Sequence, residues 1–220
     1  MGRKTVAVTI FIVLCTTLPL GAKAETLRRG TSLELRGGYY RPSDNDKWDI
    51  AFGRSFSGFG GLKIGKELLT NIDIGFSADY LHETAREWSV YFVPLGLSLT
   101  YAMRYYQDQL FVPYLGGGVD FVYGKTGRIH QGNIEPSYLK EAGYHAVAGM
   151  RLLLDALAGE DAESFDQKYG VNNSYLVLEA RYLKLFNADY ADQEFESGVP
   201  GTGYLDPKGV MISLGFLVEF

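Results

Sequence analysis

The sequence predicts an all-β fold: an eight-stranded antiparallel up-and-down transmembrane β-barrel over residues 25–220, behind a signal peptide at residues 1–24. Three observations predict it. Apolar residues recur at every second position in eight separate segments, which is the period of a strand with two unlike faces. The positions between them hold glycine, hydroxyl and charged residues. After residue 24 no apolar run approaches the ~20 residues that a spanning helix requires, so a membrane crossing has to be made by strands.

At the amino terminus Arg3 and Lys4 precede the apolar run from Val6 to Leu14, and Ala22-Lys23-Ala24 supplies a small-x-small cleavage pattern. These are the three parts of a secretory signal, and the apolar run is too short for an anchor. The one cysteine, Cys15, lies inside this segment without the Leu-small-small pattern of a lipidated cysteine. Residues 25–220 are therefore cysteine-free, which excludes disulfide and thiolate chemistry there. Three of the 21 basic residues and none of the 26 acidic ones precede Glu25, so the formal charge moves from −5 for the whole chain to −8 for the remainder. Nucleic acid is an unsuitable partner for such a chain. No Pro- or Ser-rich linker and no internal repeat divides it, which suits one domain.

The eight segments follow in order. The apolar rows are Leu33, Leu35 and Tyr39 in the first segment and Leu62, Ile64 and Leu68 in the second. In the third, Ile72, Ile74, Phe76, Ala78 and Tyr80 oppose Asp73, Gly75, Ser77 and Asp79. The fourth runs unbroken through Tyr91, Val93, Leu95, Leu97, Leu99 and Tyr101 against Phe92, Pro94, Gly96, Ser98 and Thr100. The fifth has Leu115, Val119, Phe121 and Tyr123, and the sixth Tyr144, Ala146, Ala148, Met150 and Leu152. Leu176, Leu178, Ala180 and Tyr182 mark the seventh. The eighth sets Val210, Ile212, Leu214, Phe216, Val218 and Phe220 against Met211, Ser213, Gly215, Leu217 and Glu219. Long connections near 42–57, 82–88, 124–142 and 186–208 alternate with tight ones near 69–71 and 104–110, the asymmetry of a barrel with loops at one end and turns at the other.

A soluble ligand-binding barrel alternates too, with its apolar row inside. The composition of the polar row decides between the two. A water-facing row is rich in Lys, Glu and Thr, whereas this one carries Gly38, Gly61, Gly65, Gly75, Gly96, Gly116, Gly118, Gly149 and Gly215, which suits a cramped interior. The apolar row holds only Lys66 and Lys184 as charges, both near strand ends where a lysine can snorkel. A charge at the bilayer midplane costs roughly 2–4 kcal/mol, so a charge-free row is what lipid demands. Tyr39, Tyr80, Tyr123, Tyr144 and Tyr182 fall near one rim and Tyr101, Phe111 and Phe220 near the other, as aromatic girdles do, although strand propensity also favours these residues.

With the apolar rows outward, the lumen receives Glu34, Arg36, Lys63, Glu67, Asp73, Asp79, Asp120, Arg151, Glu179, Arg181 and Glu219. Eight strands leave an interior just wide enough for side chains to fill, so a salt-bridged, occluded lumen is expected ahead of a narrow ion-conducting pore. Buried ions need partners, and the acidic excess places some carboxylates near water at the mouths.

The terminal Phe220, closing the row Leu214-Phe216-Val218-Phe220, and the segment Val112-Pro113-Tyr114-Leu115-Gly116-Gly117-Gly118-Val119 carry a resemblance. Over nearly all of residues 30–220 the chain resembles the small outer-membrane barrels, the outer membrane protein β-barrel domain family with its OmpA-, OmpX- and OmpW-like members. The resemblance implies location in the bacterial outer membrane, outer-membrane lipids and lipopolysaccharide as surroundings, a monomer, and Phe216, Val218 and Phe220 as the signal read by the barrel-assembly machinery. The connection at about 155–173 departs from the family pattern: it is long where a turn is expected, leaving room for a short helix and leaving the strand count open.

Some barrels of this architecture modify lipid A with a histidine, a serine and an acid. Here His130-Gln131-Gly132 lacks the His-x-Ser arrangement, His82 stands at a strand end, and His145 sits on the lumen row within reach of Asp79 or Asp120. A hydrogen-bonded interior histidine is the plainer reading, and no enzymatic activity, cofactor or metal is expected. Asp44, Asp46 and Asp49 surround Trp48 in the first loop, and Asp189, Asp192, Glu194 and Glu196 crowd the fourth; neither spacing is a calcium loop, and both read as solvated acidic loops. Lys125, Arg128, His130 and Lys140 in the third loop region suit either lipopolysaccharide phosphates or plain solubility, and Tyr138, Tyr190 and Tyr204 are scattered loop aromatics. The expected function is a structural, surface-exposed barrel, with restricted transport as the alternative.

Overall fold

A computed structural model describes residues 30–43, 48–49, 52–53, 55–84, 88–106, 109–130, 133–155, 171–186 and 208–220, without the side chains of 88 and 126–137. The expected signal peptide, the acids at 44, 46 and 189–196, most of the 155–173 connection, Tyr190 and Tyr204, and the side chains of Arg128 and His130 lie outside this set.

Eight strands form: β1 (Thr31–Pro42), β2 (Ser57–Leu69), β3 (Ile72–Thr84), β4 (Trp88–Ala102), β5 (Phe111–His130), β6 (Asn133–Leu153), β7 (Asn173–Leu185) and β8 (Gly209–Glu219). Each pairs with its sequence neighbours in antiparallel register, and β1 closes on β8 through pairs such as Leu35↔Phe216 and Tyr39↔Ile212. Full closure leaves no sheet edge to be solvated or aggregated. Phe220 fastens the seam: its N–H donates to the Thr31 carbonyl at 2.9 Å, and the Thr31 N–H donates to the Phe220 carbonyl at 3.3 Å. Both ends of the described chain thus lie at one end of the barrel, the terminal end, and the connections after β1, β3, β5 and β7 lie at the other, the loop end.

The alternation of burial follows the alternation of hydropathy. Leu33, Leu35, Leu62, Ile64, Phe76, Leu97, Leu99, Val119, Leu178, Ile212 and Leu214 are exposed, whereas their chain neighbours on the other face are mostly buried. An apolar surface that encircles a closed barrel has no place in water, where contiguous apolar patches stay small, and is at home in hydrocarbon. Inside, glycine lets walls and side chains approach. A Cβ on Gly118 would press on the Leu97 carbonyl of β4 and lie 2.8 Å from Ser98 Cα.

Two expected loops prove to be mostly strand. The stretch 124–142 belongs almost wholly to β5 and β6, which run 20 and 21 residues and stand apart only at 131–132. The stretch 82–88 shrinks to 85–87 between β3 and β4. The physical reason is the same in both places. Beyond the lipid the outward row no longer needs to be aliphatic, so hydropathy stops alternating while backbone pairing continues through Tyr123↔Lys140 and Lys125↔Tyr138.

Candidate functional site in the lumen

All eleven ionic residues assigned to the inward row point to the barrel axis. Glu34, Arg36, Lys63, Asp73, Asp79, Asp120, Arg151, Glu179 and Arg181 are buried, and Glu67 and Glu219 are partly buried near the terminal end. The closed sheet brings most of them into two groups.

The central group ties opposite walls. Arg36 of β1 donates from Nε and Nη2 to the two oxygens of Asp79 on β3, at 2.8 and 2.7 Å, and from Nη1 to Glu179 on β7 at 2.8 Å. Lys63 of β2 reaches the other Glu179 oxygen at 3.2 Å, where the Tyr114 hydroxyl of β5 also donates at 2.8 Å. Arg181 of β7 donates to Asp79 at 3.0 Å and, through Nη2, to Asp120 of β5. β3 and β7 are diametrically opposed in an eight-strand ring, so the Arg181–Asp79 pair spans the lumen. Asp120 also accepts from His145 Nδ1 of β6 at 2.6 Å. Paired and hydrogen-bonded ions of this kind escape most of the penalty of an isolated buried charge.

Glycines make the room for these ions. A Cβ on Gly96 would lie 2.5 Å from Arg181 Nη2 and 2.7 Å from Asp120 Oδ1, and one on Gly215 would lie 2.7 Å from Glu34 Oε1. Glu34 stands apart from both groups: its Oε1 makes no hydrogen bond among the described residues, and it lines a cavity of about 10 Å³ with Lys63, Asp73, Thr100 and Arg151. That is room for about one water.

The second group lies at the terminal end. Arg104, just after β4, donates to Glu67 at 3.1 Å and to Glu219 at 3.0 Å, and Arg151 donates to Asp73 at 2.9 Å. Beside it, Ala102, Val112, Tyr114, Val147, Leu153, Tyr175, Val177 and Leu217 form an apolar cluster.

The loop end of the lumen is filled differently. Trp48, expected in a solvated acidic loop, is fully buried; with Phe52 it belongs to an apolar cluster that includes Tyr40, Leu81, Phe92, Val122, Leu183 and Met211. The expectation fails because Trp48 and Phe52 sit four residues apart in a helical turn, so that both rings face one way, while Asp49 stays exposed. Trp48 packs 4.7 Å from Phe52 and 5.8 Å from Tyr40 between ring centroids, and its Nε1 has no hydrogen-bond partner among the described residues.

Sequence reasoning missed Arg104, Tyr114, Trp48 and Phe52. Tyr114 was within reach, because it shares the inward row with Val112 and Gly116; the loop residues gave no period to read. Of the histidines, His82 points outward and lies 3.3 Å from Thr84 Oγ1, away from the carboxylates of the lumen. Among the described residues no three His, Asp or Glu side chains are grouped to hold a metal ion.

No protein-family model matches the chain, and no curated protein matches it either. Solved structures do. Neisserial surface protein A is similar at 12% identity and a TM-score of 0.54, over 87% of this chain and 97% of that one. The outer membrane protein OprG from Pseudomonas aeruginosa is similar at 12% identity and 0.53, with the same two coverages. The N-terminal β-barrel domain of Pseudomonas aeruginosa OprF follows at 13% identity and 0.50, over 87% and 98%. The fold is therefore that of the small outer-membrane barrels, and the apolar outer surface is one that faces hydrocarbon.

Proposed function

We propose that the protein is an outer-membrane barrel with an occluded polar lumen, which contributes to the envelope structurally and meets its surroundings through its outer surface and loops. The observation that carries the reading is the Arg181–Asp79 pair joining opposite walls, with Arg36 and Glu179 bridging the same cross-section. Side chains that meet across the axis leave no diffusive path at that level. The apolar cluster around Trp48 supports the same reading at the loop end, which we take as extracellular. Phe216, Val218 and Phe220 remain the proposed assembly signal, and a single copy suffices because the ring closes on itself.

The test is conductance in planar bilayers. Silence is expected after insertion of the folded protein; steady, ion-selective steps would defeat occlusion and favour the narrow pore. His145 is read as a structural partner of Asp120 and not as a base, so mass spectrometry should find the same lipid A acylation in cells with and without the protein.

A further inference from the structure

The charges on the described strands are sorted by face. Every acidic side chain described on the strands points inward: Glu34, Asp73, Asp79, Glu83, Asp120 and Glu179 are buried, and Glu67, Glu141 and Glu219 sit on the same inward row, partly buried. Every charged side chain described on the outward face of the strands is basic: Arg41, Lys66, Lys125, Lys140 and Lys184. In a chain with five more acidic than basic residues, chance does not favour an outer surface of one sign.

Position sharpens the point. Three strands repeat one outward stencil, a tyrosine followed two residues nearer the loop end by a cationic side chain: Tyr39 and Arg41 on β1, Tyr123 and Lys125 on β5, Tyr182 and Lys184 on β7; on β3 the imidazole of His82 holds that place beyond Tyr80. Two residues of strand rise about 7 Å, so each cation stands one headgroup layer above the tyrosine that marks the hydrocarbon boundary. Among the described residues of the strands, the terminal end has only Lys66 as an outward charge. The stencil is densest on β5 and β6, where Lys125 Nζ lies 5.8 Å from the Tyr138 ring and Lys140 Nζ 5.9 Å from the Tyr123 ring. Tyr91 packs 6.1 Å from Tyr123 beside them. Pairing Lys125↔Tyr138 and Tyr123↔Lys140 makes the two lysines diagonal neighbours, close enough for their ammonium groups to converge on one anion.

We propose that this face is a docking surface for the phosphorylated glycolipid of the outer leaflet, with Lys125 and Lys140 receiving a lipid A phosphate, the tyrosine rings packing on the adjoining sugar and acyl chain, and the other stencil cations repeating the contact around the barrel. The inference rests on the outer-membrane placement and not on occlusion, so the conductance result does not bear on it.

The test uses the full barrel, purified in detergent, and native mass spectrometry with three probes: bisphosphorylated lipid A, the same lipid A stripped of both phosphates, and phosphatidylglycerol. The wild type should hold bisphosphorylated lipid A about tenfold more tightly than either other probe, as loss of two charge-assisted contacts implies. Lys125→Gln with Lys140→Gln should abolish that preference, Lys125→Arg with Lys140→Arg should keep it, and Lys66→Gln should leave it unchanged. Equal binding of dephosphorylated lipid A or of phosphatidylglycerol by the wild type would overturn the proposal, as would a Gln pair that binds like wild type. The wild-type comparison stands even where a variant fails to fold.

Discussion

Replacing Asp79 by alanine removes the acceptor on which two guanidinium groups meet. Its carboxylate, fully buried, takes two bonds from Arg36 at 2.8 and 2.7 Å and one from Arg181 at 3.0 Å. Hydrogen bonds to charged groups contribute about 1.5–3 kcal/mol each, so simple addition over three would overstate the loss. Arg36 keeps Glu179 and Arg181 keeps Asp120, which limits the damage to that of one broken buried pair, about 3–5 kcal/mol. The cost arises from buried guanidinium N–H groups left without their acceptors, and says nothing about what the intact pairs are worth against an apolar replacement. Urea unfolding of the barrel in detergent micelles, followed by far-ultraviolet circular dichroism, measures it. Asp79→Asn should cost about as much, because the amide offers one acceptor and turns its NH₂ toward a guanidinium. If both variants unfold within about 1 kcal/mol of wild type, the ions are not stabilised by each other and the interior must be wet.

Trp48→Ala should lower stability by about 3 kcal/mol, the low end for a buried tryptophan. In a Trp88→Phe background Trp48 should emit in the blue and resist iodide quenching; red, quenchable emission would show the loop outside the lumen. Gly118→Ala should sharply reduce the yield of folded barrel on a heat-modifiability gel, because its methyl meets the β4 backbone, whereas Gly37→Ala, whose methyl would find its nearest neighbour at 3.6 Å, should fold normally. Leu97→Arg puts a charge on the lipid face in the middle of β4 and should cost roughly 2–4 kcal/mol in bilayers; no cost would mean that this row does not face hydrocarbon.

The strands were legible because lipid imposes a stricter pattern than water does: every outward position in the span must be apolar, and rows such as Val210 to Phe220 or Tyr91 to Tyr101 are therefore unbroken. The same dependence explains where reading failed. At Tyr123-Gly124-Lys125 and again at Tyr138-Leu139-Lys140 the strands have left the hydrocarbon, polar residues become admissible outward, and a hairpin looks like a loop. Within the lumen, parity along each strand identifies which side chains turn inward, but partners are chosen by closure. Arg36 and Glu179 are 143 residues apart, and only the β1–β8 seam and its register bring them together. Trp48 shows a different limit. Its neighbours in sequence are acidic, so its surroundings read as solvent, and the apolar hollow it fills is made of residues from distant strands.

The interior is layered along the axis, and the layers depend on one another. At the loop end Trp48 and Phe52 sit over the ring formed by Tyr40, Leu81, Phe92, Val122, Leu183 and Met211. The Arg181–Asp79–Arg36–Glu179 chain lies next, with Asp79 and Arg181 one inward position farther along β3 and β7 and Arg36 and Glu179 two farther along β1 and β7. Toward the terminal end the wall formed by β5 to β8 becomes apolar again while Arg104 and Arg151 hold the acids of β2, β3 and β8. An ion pair strengthens as water is excluded from it, and apolar side chains above and below are what exclude it here. The pairs in turn tie β3 to β7, and in the occlusion we propose one indole and one phenyl ring stopper the loop end. A solute would have to displace the aromatic layer and part the ions beneath it, and the first displacement admits the water that weakens the second. On the proposed occlusion, the opening of such a lumen is decided at Trp48 before it is decided at Asp79.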